Sequence, residues 1–120
     1  MSAPDRTQTV YKIADASLWS EAERAGAFTG APVDEADGFI HFSTADQLRA
    51  TAAKHFAETD GLVLAAVSGA ALAAMGDYRY EPSRGGELFP HLHAPLPMSA
   101  VLWTEPLPWD GTAHRFPRGL

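Results

Sequence analysis

Apolar and polar positions change period several times along the chain, and each change marks an element. Val10 and Ile13 flank Tyr11 and Lys12, which suits a short first strand after a polar stretch over 1–8 that reads as disordered or loosely held. Asp15 and Ser17 then offer caps for LWSEAERAG, with glutamates near the start, Arg24 near the end and Gly26 as the stop, a consistent helix signature. Leu18, Trp19 and Ala22, with Ala25 or Gly26, fall on one stripe of that helix. Residues 27–38, AFTGAPVDEADG, read as a long loop, the kind that lines a site. FIHFS follows as a strand, its alternation placing Phe39, His41 and Ser43 on one face and Ile40 and Phe42 on the other.

Thr44 and Gln47 match a capping box, so a helix is expected from about Ala45 to Glu58, with Leu48, Ala52 and His55 or Phe56 on its apolar side. LVLAAV at 62–67 is a strand, and the alanine-rich run from Ser68 to Met75 a short helix. Residues 84–97, RGGELFPHLHAPLP, carry glycines and prolines that predict mainly irregular structure with short extended pieces. Ser99 to Thr104 reads as a closing strand. The order implies an α+β domain over 9–108 rather than a doubly wound sheet, followed by a Pro/Gly-containing tail over 109–120; the Pro-rich stretch from Glu105 onward is expected to pack in part through Leu107 and Trp109.

Composition narrows the function classes. The 120 residues suit one domain, and the net charge of −6 argues against a chain that coats nucleic acid. Cys is absent, so thiolate chemistry and cysteine metal sites are excluded. The polar start lacks a secretory apolar core, and the apolar run 62–75 is interrupted and too short to span a bilayer, so a cytoplasmic location without membrane attachment is expected. Nothing in the sequence speaks for or against a protein partner.

Three places hold polar residues with candidate chemistry. His41 lies in a strand just before a helix opened by Ser43 and Thr44, where free N–H groups favour an anion. Its bland alternative is a histidine that holds the preceding loop. Arg84-Gly85-Gly86-Glu87 could set Glu87 at the edge of a pocket, or be an ordinary surface turn with an ion pair; Arg79 and Glu81 could form a second such pair. His91 and His93 share a face if their segment is extended, but a bare H-x-H is a weak metal signal, and no metal is expected. Phe39, Phe89, Tyr78 and Tyr80 could stack on a planar ring or belong to the core. His41, Glu87 and His91 are expected to converge on one cleft.

The segments YKIADASLW, DGFIHFSTADQL, LVLAAV and EPSRGGELFPHLHAPLPMSAVLW resemble a small bacterial family, domain of unknown function number nine hundred and fifty-two, over roughly residues 9–108. That family is similar to the ADP-ribosyltransferase fold, small sheets with a cleft between them that clasps NAD. The resemblance implies an NAD- or nucleotide-using transferase or glycohydrolase with NAD as substrate. His41 with Ser43 or Thr44 would hold the sugar, and Glu87 would steady the developing positive charge. Tyr80 or Tyr78 stands for the middle motif, and Arg84 with His91 suits a phosphate-facing version. The alternative is a non-catalytic pocket for a nucleotide or small anionic metabolite.

Overall fold

The computed structural model describes residues 4–120, with the side chain of Arg84 outside that description. The first strand, β1 (Val10–Asp15), ends at Asp15, whose carboxylate accepts from the amides of Ser17 and Leu18 and so caps α1 (Ala16–Ala25). Gly26 closes that helix in the left-handed conformation. The stretch 27–38, expected to be a loop, instead holds β2 (Ala27–Phe28) and α2 (Pro32–Asp37), the latter started by Pro32 at its first turn.

The FIHFS strand is shared between two sheets. Its first part, β3 (Ile40–His41), and its second, β4 (Ser43–Thr44), are divided at Phe42. Gln47 accepts from the Thr44 amide at 3.1 Å, and α3 (Ala45–His55) follows, ending three residues earlier than its expected limit. After β5 (Leu62–Val67), Ser68 caps α4 (Gly69–Met75), and β6 (Tyr78–Pro82) leads into β7 (Leu88–Leu92). A two-residue β8 (Leu96–Pro97) pairs with β2, and β9 (Val101–Leu107) closes the chain of strands.

All pairings are antiparallel. One sheet has the order β4-β1-β5-β9 and another β3-β7-β6, giving an α+β domain of several small sheets. The inward face of the larger sheet, through Val10, Ala14, Ala65 and Val67, packs with Ile40, Phe42, Tyr78 and Leu92 of the smaller one. Its other face, through Tyr11, Ile13, Leu64 and Ala66, is covered by Leu48 and Ala52 of α3 and by Phe116 and Leu120 of the tail. Each large side chain buried in these layers contributes roughly 1.5–3 kcal/mol of hydrophobic stabilisation. No helix among the described residues is long and apolar enough to cross a membrane.

The segment 84–97 is more regular than its prolines imply. Pro90 sits in the central strand of the smaller sheet, opposite Tyr80, and its carbonyl accepts from the Phe42 amide. A residue's N–H and C=O point to the same side of a strand. Pro90 therefore faces Phe42 without a donor: the pair keeps the bond from the Phe42 amide but lacks the return bond, and β3 ends beside it at His41.

The N-terminal stretch is tied down from Arg6 onward. Arg6 Nη2 donates to the Tyr78 carbonyl at 2.7 Å, and Gln8 Nε2 donates to the Tyr80 hydroxyl at 3.3 Å. This stretch passes so close to α4 that a Cβ at Gly69 would lie 2.1 Å from the Gln8 carbonyl oxygen and 2.8 Å from that of Arg6. Both obstacles are backbone. Gly69→Ala is therefore expected to lower stability by about 1–3 kcal/mol in urea denaturation; an unchanged midpoint would show that the N-terminal stretch does not pass there.

Candidate functional site

Lys12 is the odd residue in β1: it shares a face with Val10 and Ala14 and is 5% exposed. A buried ammonium needs a partner, and Asp34 of α2, 2% exposed, supplies it at 2.9 Å. Asp34 also accepts from the Ala31 amide (2.8 Å), the His41 amide (3.1 Å) and His41 Nδ1 (2.6 Å). Burial, the largest single effect, pushes its carboxyl up, but the His41 bond, the Lys12 charge and bond and the Ala31 amide together hold it well below the ordinary range. Burial in turn pulls Lys12 below the usual lysine value, against the opposing charge of Asp34.

His41 is held at both ends. Its Nε2 lies 2.9 Å from Asp37 Oδ2, at the far end of α2. Each ring nitrogen therefore has a carboxylate within hydrogen-bond distance.

Register places the remaining polar residues. His41 stands opposite His91, and His91 opposite Arg79, across three neighbouring strands. Directly opposed residues share a face, as do alternate residues along a strand. The outward face of the smaller sheet therefore carries His41, Phe89, His91, His93, Arg79 and Glu81, while Ile40, Leu92, Tyr78 and Tyr80 face inward. Phe39 folds over this face, its ring 4.1 Å from that of His91, 4.7 Å from His41 and 5.0 Å from His93.

Glu81 Oε1 accepts from His91 Nδ1 at 2.9 Å and His93 Nε2 at 2.7 Å, and these bonds hold its carboxyl below the usual value. His91 is 3% exposed, and burial outweighs the Glu81 bond and lowers its pKa. With Nδ1 donating to Glu81, Nε2 of His91 is left as a bare acceptor. Arg79 is exposed, and its side chain makes no ion pair or hydrogen bond among the described residues. Beside this cluster lies an open pocket of about 320 Å³, lined by Asp34, Glu35, Phe39, Ile40, Leu92 and His93 among others. Among the described residues no group of three or more His, Asp or Glu side chains is disposed to hold a metal ion.

The residues singled out in the sequence thus separate. His41 and His91 meet, with ring centroids 5.4 Å apart. Glu87 does not join them: it lies four residues up the strand from His91, about 13 Å in an extended chain, and its carboxylate accepts from Gln47 Nε2 at 3.0 Å. Thr44 starts α3, and the buried Ser43 hydroxyl donates to Thr51 Oγ1. Tyr80 faces inward to Gln8. Arg84 lies, as a side chain, outside the described residues. Arg79 and Glu81 do not pair, because Glu81 is taken by the two histidines.

Lys12, Asp34, Asp37 and Glu81 are the members that sequence reading passed over as site residues. Lys12 had a signal, a lone charge in phase with buried positions. Asp34 and Asp37 had none, since PVDEADG reads as a solvated acidic loop.

The family described as "Protein of unknown function (DUF952)" matches residues 13–104, and the chain belongs to it. The crystal structure of protein CC0527 from Caulobacter crescentus is 41% identical, covers 90% of this chain and 94% of its own, and superposes with a TM-score of 0.84. The solution NMR structure of the same protein is 42% identical over 88% of this chain and 90% of its own, with a TM-score of 0.77. No curated protein gave a match.

Asp34→Ala strands the Lys12 ammonium in the core and is expected to lower stability by about 3–5 kcal/mol, measured by chemical denaturation. Stability should also fall with pH in two stages. His91 has a lower pKa folded than unfolded, so the unfolded chain takes up the proton first and stability declines below about pH 6.5. Asp34, also lowered on folding, stabilises above roughly pH 4 and loses that contribution as the pH falls further. Thermal melts from pH 8 to pH 3 check both stages; a melting temperature flat from pH 8 to 5 would remove the first.

Proposed function

We propose that this domain binds a nucleotide-like ligand, with its planar ring against Phe39 and His93 and its anionic groups along the row of His41, His91 and Arg79. The observation that carries this reading is the pocket of about 320 Å³ opening beside an aromatic and imidazole cluster. Two strand spacings separate His41 from Arg79, about 10 Å, enough for a sugar and phosphate. Arg79, whose side chain has no partner among the described residues, is the cation a phosphate would need. The ADP-ribosyltransferase-like fold expected from the family resemblance would take the same ligand class, NAD included.

Binding without catalysis is favoured over transfer because Glu87, the expected charge stabiliser, is tied to Gln47 away from the histidines. One observation favours the transferase or glycohydrolase reading: Glu81 stands at the histidines and leaves Nε2 of His91 free as a base. In that reading Glu81, not Glu87, is the acting carboxylate.

Titration of labelled protein with NAD, ADP-ribose and AMP should shift the amides around Phe39, His41 and His93. Phe39→Ala should weaken binding roughly tenfold through lost stacking. Arg79→Ala should weaken the phosphate-bearing ligands and leave adenosine unaffected. Flat amide shifts with all three ligands would overturn the proposal, and release of nicotinamide from NAD would move it to the enzymatic reading.

A further inference from the structure

The contact between Asp37 and His41 Nε2 is unusual in what it occupies. The buried Asp34 carboxylate fixes Nδ1 of His41, so the direction in which Nε2 points is preset. The His41 side chain is 30% exposed, and the position beyond Nε2 is filled by a carboxylate of the chain itself, at 2.9 Å, whose own side chain is 47% exposed. We infer that Asp37 is an internal stand-in for the ligand: the group bound at His41 is an oxyanion, carboxylate or phosphate, that displaces Asp37 to reach the same N–H. This deepens the binding reading above, since it gives the anion-facing end of that site a competitor built into the chain.

The way α2 is held supports displacement. Of its six residues only Asp34 is buried, and Val33 is 56% exposed, so no apolar side chain of the helix anchors it in the core. Asp34 is secured at the N-terminal half by Lys12 and the Ala31 amide, independently of Asp37. The C-terminal end passes directly into Gly38, at a φ of 84°, a backbone position that glycine adopts freely. The Gly38 and Phe39 amides hold this end of the helix to the Asp34 carbonyl, so Asp37 leaves by rotating its exposed side chain while Asp34 keeps the His41 ring in place. A partly exposed ion pair of this kind is weakly held, and an incoming dianion makes the stronger charge-assisted bond.

Glu35 makes the natural control: it sits on the same helix, at the same pocket, and is exposed. Inorganic phosphate and AMP are titrated separately into the wild type, Asp37→Asn and Glu35→Gln, following the His41 ring resonances. Asp37→Asn should bind phosphate roughly three- to tenfold tighter than the wild type, the range expected for removing a weak internal competitor. Glu35→Gln should stay within about twofold. Equal or weaker phosphate binding by Asp37→Asn overturns the inference, as does an equal gain in Glu35→Gln, which would mean general charge repulsion. A phosphate gain in Asp37→Asn without AMP binding supports the stand-in and sinks the nucleotide reading. AMP binding to the wild type with no gain in Asp37→Asn does the reverse.

Discussion

A lysine in the middle of a strand buried on both faces has one way to keep its charge, and the rest of the site is arranged around how Lys12 does so. Its ammonium meets Asp34 at 2.9 Å in the core, and Asp34 then gathers the Ala31 amide, the His41 amide and the His41 ring. A pair of well-packed apolar residues would hold the same layers together at least as firmly. What the ion pair adds is direction. It pins α2 to the larger sheet and aims the imidazole of a histidine on the smaller one, so the two sheets share a polar as well as an apolar contact.

That pair also explains where the sequence was legible. Local signals with a fixed offset were readable: Asp15 before α1, Gly26 after it, and the Thr44–Gln47 box at α3 each concern residues a few positions apart. The alternation through FIHFS separated the buried Ile40 and Phe42 from the part-exposed His41, but Ser43, read on the face of His41, is buried because the strand changes sheets at Phe42. The pairing of Lys12 with Asp34 spans 22 residues and has no local signature. Read alone, PVDEADG is acidic and polar, so the buried Asp34 and the helix it belongs to were hidden in what looked like a solvated loop.

The same limit governs the site. His41 and His91 were identifiable as unusual polar residues, and the register brings them face to face. Glu87 looked poised by its glycines, but Gln47, whose Oε1 closes the cap of α3, donates through Nε2 to Glu87 and the Leu88 carbonyl. Glu81 looked like the partner of Arg79, yet strand alternation turns it toward two histidines. Which carboxylate reaches a histidine depended on the pairing of β6 with β7, and the glycines and prolines of 84–97 masked β7.

The division of one strand at Phe42 has a consequence for how the domain comes apart. Residues 40–41 hydrogen-bond with β7, and residues 43–44 with β1, so a single five-residue segment closes contacts to chain regions some thirty and fifty residues away in opposite directions. Neither sheet can separate from its neighbour without pulling this segment out of the other. Partial opening is thereby suppressed, and amides of β1 and β7 should share one cooperative unfolding unit in native-state hydrogen exchange rather than two.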